Sequence, residues 1–335
     1  MMDAIFPPHG RAPARSARLI AWLLLGCAAA AALSLVSGKV WLPWAAWTAD
    51  DPRAIILIEL RAPRTVLALL IGAALGLSGA VMQGYLRNPL ADPGLFGVSS
   101  GAALGAVLSL FFGYSAQAWL LPGFALAGAG ATMALLALLA GRSGSLILFT
   151  LAGMVLTNIT GSLTALAISL APTPFVASEI VTWLMGALTD RSWNDVTLAA
   201  PLIAIGAACL AATAPALDAL TLGEPAARSL GVDPRRLQAL VILGTALCVG
   251  AAVATAGVIG FVGLIVPHCV RPFAGHRPSA VLAPAALGGA LLLTLADSAV
   301  RLAPTVAEVR LGIAMSMLGG PFFLALLIAM RRRLA

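Results

Sequence analysis

The residues that most often carry phosphate, nucleophile or metal chemistry are dispersed in this chain. Lys39 is its only lysine. A phosphate-cradling loop needs a glycine, four residues, and then Gly-Lys-Ser/Thr. Here Lys39 is followed by Val40, and Leu33 stands where the first glycine belongs. If the chain takes part in ATP-driven work, another polypeptide must bind the nucleotide. Cys27, Cys209, Cys248 and Cys269 lie in or beside apolar runs, far apart and without paired spacing. Neither a disulfide framework nor a zinc site is indicated. His9, His268 and His276 are equally scattered, none in an HExxH arrangement, and read as structural.

Acids inside apolar runs are nearly missing. Asp297 is the exception, near the end of its run and four residues before Arg301. A proton- or sodium-coupled carrier places carboxylates near the bilayer midplane. Asp297 and Arg301 read instead as a local helical pair, which argues against a secondary transporter working alone.

Three further segments carry polar groups at informative spacing. In Leu222–Gly231, Glu224 precedes Pro225 as in a first helical turn, Arg228 follows one turn later, and Gly231 can end the helix. This is a short amphipathic helix that either lies on the membrane surface or docks a partner. In Arg87–Pro93, Pro89 and Pro93 stop helices while Asn88 and Asp92 can bond nearby backbone. A rigid turn and a functional element remain equal readings there. Gly153, Thr157, Thr160, Gly161 and Thr164 recur at helical spacing with Asn158 beside them. Such a stripe packs a neighbouring helix or lines a pathway, and the pathway is favoured.

The elements that must position these groups are membrane helices. Of 335 residues, 61% are hydrophobic and 10% charged, well below the charged fraction of about 25% in soluble domains. Apolar runs lie at residues 19–37, 65–85, 94–112, 119–140, 145–170, 196–213, 237–266, 280–296 and 311–330. The first follows Arg11, Arg15 and Arg18 but is longer than a signal-peptide core, so it reads as a retained helix. The run at 237–266 is too long for one crossing. Gly257, Gly260 and Gly263 offer a break within it, with a short helix continuing through Pro267 to Phe273. Splitting it gives ten spans, the even number that places both arginine-bearing chain ends on the cytoplasmic side.

That arrangement puts thirteen cations inside and seven outside, in the sense of the positive-inside rule. The net charge of +7 is explained in this way, and no basic–aromatic cluster suggests nucleic-acid binding. Gly97, Gly101 and Gly105, with Gly72 and Gly76, mark helix faces that approach closely.

Four stretches then carry a resemblance. They are RAPRTVLALLIGAALGLSGAVMQGYLRNPLADPGLFGVSSGAALGA (Arg61–Ala106), LGEPAARSLGV (Leu222–Val232), GVIGFVGLIVPHCVR (Gly257–Arg271) and ADSAVRLAPTVAEVRLGIAMSMLGGPFFLAL (Ala296–Leu326). In this order they resemble the FecCD-type permeases, the membrane subunits of ABC importers for ferric siderophores, heme and cobalamin. The resemblance covers nearly the whole chain after residue 50.

It implies an all-α membrane protein, a ten-transmembrane-helix permease of the type II importer bundle, forming one domain over residues 1–335. Residues 1–18 would be a cytoplasmic N-terminal segment and residues 214–236 a cytoplasmic coupling segment. It further implies a homodimer in the inner membrane with a pathway on its two-fold axis. Two ATP-binding cassette subunits would hold ATP and magnesium, this chain carrying no cofactor or metal, and a periplasmic binding protein would deliver the cargo.

By position, Arg61, Arg64 and Arg301 match arginines that receive acidic groups of that binding protein. Leu222, Gly223, Glu224, Ala227, Arg228, Leu230 and Gly231 match the coupling helix seated on the ATPase. Gly153, Thr157, Asn158, Thr160, Gly161 and Thr164 match a pathway-lining helix. Arg87 stands where cobalamin members tend to carry an acid, and the run from Arg87 to Ala106 is closer to heme and siderophore members. Heme is the favoured cargo on that ground.

Overall fold

A computed structural model describes residues 12–38, 53–114, 117, 119–141, 146–304 and 307–334. His9, Arg11, Lys39 and Val40 lie outside the described residues. The described residues form helices and connections, with no strand among them.

The apolar runs all become helices. They are α1 (Ala12–Val36), α2 (Ala62–Tyr85), α3 (Val98–Phe111), α4 (Leu120–Ala140) and α5 (Leu146–Ser169), followed by three short helices and one long one: α6 (Pro174–Leu184), α7 (Trp193–Ala211), α8 (Ala214–Leu220) and α9 (Glu224–Ser229). The chain continues as α10 (Pro234–Ala256), α11 (Val262–Ala274), α12 (Pro278–Leu302) and α13 (Leu311–Leu334). Among the described residues, eight helices are long and apolar enough to cross a membrane. The ten expected spans also include α3 and α11, of 14 and 13 residues. Thirteen residues rise about 20 Å, short of a hydrocarbon core of about 30 Å. The count of ten therefore depends on non-helical chain completing those two crossings.

The break in the long run falls where glycine spacing placed it. α10 ends at Gly257, with φ 71°, and the chain stays non-helical until Phe261, itself at φ 68°. Left-handed backbone at a bulky residue is an outlier, and here the Phe261 side chain lies over Gly319, where any β-carbon would collide with the ring. Three short helices were not read as spans, of which only α9 was foreseen. α12 extends to Leu302, beyond the expected end at Ala296, because Asp297 and Arg301 are satisfied inside the protein. α7 starts at Trp193 because Ser192 and Asp195 form a reciprocal capping box.

α2 is the central element. It packs against α12, α7, α11 and α10, while α3 and α4 form a second close pair bridged to it by α10. Glycine makes both approaches possible. A β-carbon on Gly72 would overlap the Gly289 carbonyl, and one on Gly76 the Ala285 carbonyl, both on α12. Gly101 and Gly105 meet α4 at Thr132 and Phe124 in the same manner. Between apolar helices in lipid, this backbone proximity supplies the dispersion contact that drives association.

Candidate functional site

α2 runs between two charged clusters. At its start, Arg64 is clamped on Asp297 of α12: Nε donates to both carboxylate oxygens at 3.0 and 3.1 Å and Nη2 to Oδ1 at 2.8 Å. Arg64 also reaches Glu308 at 3.0 Å, which accepts a further bond from the Thr189 hydroxyl at 3.0 Å. The expected Asp297–Arg301 pair forms at 3.2 Å, but Asp297 serves Arg64 as well. Guanidinium groups of this cluster also reach the end of α1. Arg61 donates to the carbonyls of Leu35 and Val36 at 3.0 and 2.7 Å. Arg301 donates to those of Ser34 and Ser37 at 3.0 and 3.3 Å, and to the Ser34 hydroxyl. A helix leaves its last carbonyls unpaired and carries partial negative charge there, so two buried cations cap α1.

This changes how the three arginines are seen. Arg61, Arg64 and Arg301 are 7%, 8% and 5% exposed. They are internal groups holding α1, α2 and α12 together, not a free surface of positive charge. Glu308 lies on the loop after α12. Burial would raise its carboxyl, but the bonds from Arg64 and Thr189 and the charges of Arg64 and Arg301 prevail, holding it below its usual range.

At the other end, α2 closes with a turn in which Asn88 N–H bonds the Gln83 carbonyl and Arg87 N–H bonds that of Gly84. Arg87 therefore occupies the left-handed position of a Schellman motif, at φ 51°, where glycine is usual. Its side chain reaches Glu224 of α9 at 3.7 Å. Glu224 thus pairs across to this loop, whereas the sequence spacing had suggested Arg228. Gly231 ends α9 as expected, at φ 87°, with Val232 N–H bonded to the Ala227 carbonyl. Ala227 is buried against the body of the protein, while Leu222 and Leu230 are 67% and 65% exposed. Gly223 and Arg228 complete the segment, Arg228 being exposed.

Between the two ends lies a cavity of about 310 Å³. Gly161 and Thr164 of α5 form one wall, Ser99, Ser100 and Ala103 of α3 a second, and the non-helical Val258–Phe261 a third. Irregular backbone at membrane depth is tolerated where it lines such a space. The six α5 residues separate by role. Gly153 packs on Phe96, and the Thr160 hydroxyl donates to Ser100 at 2.7 Å, so both join helices. The Thr157 hydroxyl bonds the Gly153 carbonyl within the helix, and Asn158 is exposed with its amide on the Met154 carbonyl. Gly161 and Thr164 alone of the six line the cavity.

Asp92 also lines it, a residue of the loop that the sequence left equally open as a rigid turn and as a functional element. Its Oδ1 accepts the Gly94 N–H at 2.8 Å, capping the short 3-10 turn Pro93–Phe96. The signal available in the sequence was Asp92 within Asn-Pro-Leu-Ala-Asp-Pro. Its caps were legible, but its direction was not. Among the described residues no group of His, Cys, Asp or Glu is arranged to hold a metal ion.

The comparisons agree with this geometry. Residues 24–329 match the model of the FecCD transport family. The vitamin B12 import system permease protein BtuC of Salmonella paratyphi A is 38% identical over 320 residues, covering 94% of this chain and 97% of that protein. The Fe(3+) dicitrate transport system permease protein FecD of Escherichia coli is 35% identical, with coverage of 93% and 99%. The hemin transport system permease protein HmuU of Yersinia pestis is 35% identical, with coverage of 94% of each. A solved structure described as an inward-facing conformation of a metal-chelate type ABC transporter superposes with a TM-score of 0.86 at 32% identity. It covers 93% of this chain and 99% of that one. With a bundle of apolar helices, a broken helix beside a cavity and a family match over almost its full length, the chain is an integral membrane protein belonging to the FecCD transport family.

Proposed function

We propose that the chain is the permease subunit of an ATP-driven importer, a single membrane domain of ten crossings that carries an iron chelate into the cytoplasm. Heme is the first cargo, a ferric siderophore the second, and cobalamin the alternative. The observation that carries this reading is the cavity walled by Gly161, Thr164 and the non-helical Val258–Phe261. Small residues and exposed backbone suit a bulky solute held weakly on its way. The heme-first order rests on the run from Arg87 to Ala106. Within it the Arg87 side chain, at the position that departs from cobalamin members, pairs with Glu224 of α9.

On this reading the Glu224 end is cytoplasmic, both termini lie on that side of the inner membrane, and two copies of the chain enclose the pathway. Leu222 and Leu230 are the apolar contacts offered to an ATP-binding subunit, which supplies ATP and magnesium, and α9 between them is the coupling helix. The Glu308 end receives the periplasmic binding protein. Arg61, Arg64 and Arg301 serve docking in a modified sense: an incoming carboxylate engages Arg64 and Arg301 by exchange with Asp297 or Glu308, and Arg61 by exchange with the α1 carbonyls.

The test is purification of the tagged chain in mild detergent, with assays for ATP hydrolysis and for a co-purifying subunit that bears a Walker A motif. An active complex with two copies of each supports the importer. A lone, folded chain that accumulates solute on a proton gradient overturns it in favour of a secondary transporter. ATP-dependent uptake of hemin, a ferric siderophore and cobalamin by the reconstituted complex then ranks the cargo.

A further inference from the structure

The cavity wall contains one feature that neither packing nor coupling uses. Asp92 is an acid on the surface of a cavity whose other walls are small, apolar or hydroxyl-bearing. Among the described residues only Oδ1 has a hydrogen-bond donor, the Gly94 N–H. The second oxygen lies against the α-carbon side of Gly263, near enough that a β-carbon there would stand 3.2 Å from it. Among the described residues no arginine, lysine or histidine forms an ion pair with Asp92. The two acids at the start of α2 are matched: buried Asp297 by two arginines, and half-buried Glu308 by one. Retaining an acid without a cation in such a place is costly. As a turn former it is replaceable, because asparagine caps as well as aspartate.

We infer that Asp92 is a specificity residue of the pathway, a carboxylate that favours cationic or hydrogen-bond-donating groups of the cargo and disfavours anionic ones at this wall. The inference rests on the permease reading and sharpens it. Hemin carries both propionates on one edge, so it passes with that edge turned away from Asp92. A chelate with negative charge on all sides is discriminated against, and a neutral or cationic one is not.

The experiment reads the local charge without cargo. In the full-length chain with its four native cysteines changed to alanine, Ser99→Cys places a thiol on the cavity wall beside Asp92. Its rates of modification by a trimethylammonium and by a sulfonate methanethiosulfonate are measured in detergent, with Asp92 intact and with Asp92→Asn. The ratio of cationic to anionic rate is expected to fall by about tenfold in Asp92→Asn, the factor one unit charge exerts in opposite senses on probes about 6 Å away in water. An equal ratio in the two chains overturns the inference. If Asp92→Asn does not fold, salt replaces the substitution. With Asp92 intact the ratio should decline as ionic strength rises through the range where the screening length drops from about 30 to about 3 Å, and a ratio insensitive to salt overturns the inference. Labelling requires no transport, so its failure is separable from the permease reading, which fails if the purified complex shows no ATP-dependent uptake.

Discussion

The first turn of α2 and the turn that closes it each present an arginine to an acid, and the two pairs differ in almost everything else. Arg64 and Asp297 are buried, bonded through both carboxylate oxygens and embedded in a network that also caps α1. Arg87 and Glu224 meet at 3.7 Å with side chains 44% and 39% exposed. The difference is one of desolvation. A charge removed from water must recover its hydration from partners, so the buried pair admits no loss of a member. The exposed pair stays hydrated and is worth little in free energy. A rigid end and a compliant end on one central helix suit a permease that anchors one side of its bundle and is moved from the other.

The largest expected effect comes from removing the centre of the buried network. Asp297→Ala leaves Arg64 and Arg301 without their shared carboxylate and should lower stability by about 3–5 kcal/mol, seen as a large loss in detergent melting temperature. Asp297→Asn, which keeps a hydrogen-bond acceptor, should fall between that and the parent. If Asp297→Ala melts like Glu224→Ala, the contrast between the two ends is wrong.

The compliant end has its own packed point, which is the next effect in size. Ala227 is the one α9 residue turned fully inward, beside Tyr85, Leu220 and Leu237. Ala227→Leu should overpack this site and cost about 1–3 kcal/mol, and in the proposed complex it should leave ATP hydrolysis running with reduced uptake. An unchanged melting temperature together with unchanged uptake would show that α9 is not seated as described.

These two sites show what was legible from the sequence. The spans, the break after Gly257, the close-approach glycines and the Gly231 cap all follow from local rules that operate within one helix or turn. Asp297–Arg301 was readable because its partners are four residues apart. Arg64–Asp297 was not, because those residues are separated by 233 positions and meet only once α2 and α12 pack. The same holds for the α1 carbonyls that take Arg61 and Arg301. Outer arginines read from sequence look like free charge because the groups that neutralise them come from other helices. Asp92 was hidden for a related reason: a capping residue is recognised by its bond to the next turn, which says nothing of what its other oxygen faces.

The pH dependence of the rigid end is a smaller test. The Glu308 carboxyl is held below its usual range, so the folded state binds its proton less readily than the unfolded chain. Its contribution is fully present above the ordinary glutamate value of about 4.3. It is lost as pH falls from there through the lowered folded-state value. The side chain is 24% exposed, and the effect should be about 1 kcal/mol or less. Melting curves taken from pH 7 down to acid should show Glu308→Gln less stable than the parent at neutral pH and equal to it once both are acidified. A constant offset across the range would remove Glu308 from the network.

The smallest effect separates strain from charge at Arg87. Arg87→Ala removes the pair with Glu224 but keeps a β-carbon in left-handed backbone, which costs about 1–2 kcal/mol in an L-residue. Arg87→Gly removes the same pair and relieves that cost, offset in part by the greater freedom of glycine in the unfolded chain. The glycine variant should therefore be the more stable of the two, by about 1 kcal/mol or less, and each should differ little from the parent. If both fall well below the parent by the same amount, the ion pair carries the stability, and the exposed end resembles the buried one. If glycine alone matches or exceeds the parent, the arginine is kept in an unfavourable conformation for its reach toward α9. Coupling efficiency, measured as uptake per ATP hydrolysed, is then the quantity that Arg87→Gly should lower while the protein becomes no less stable.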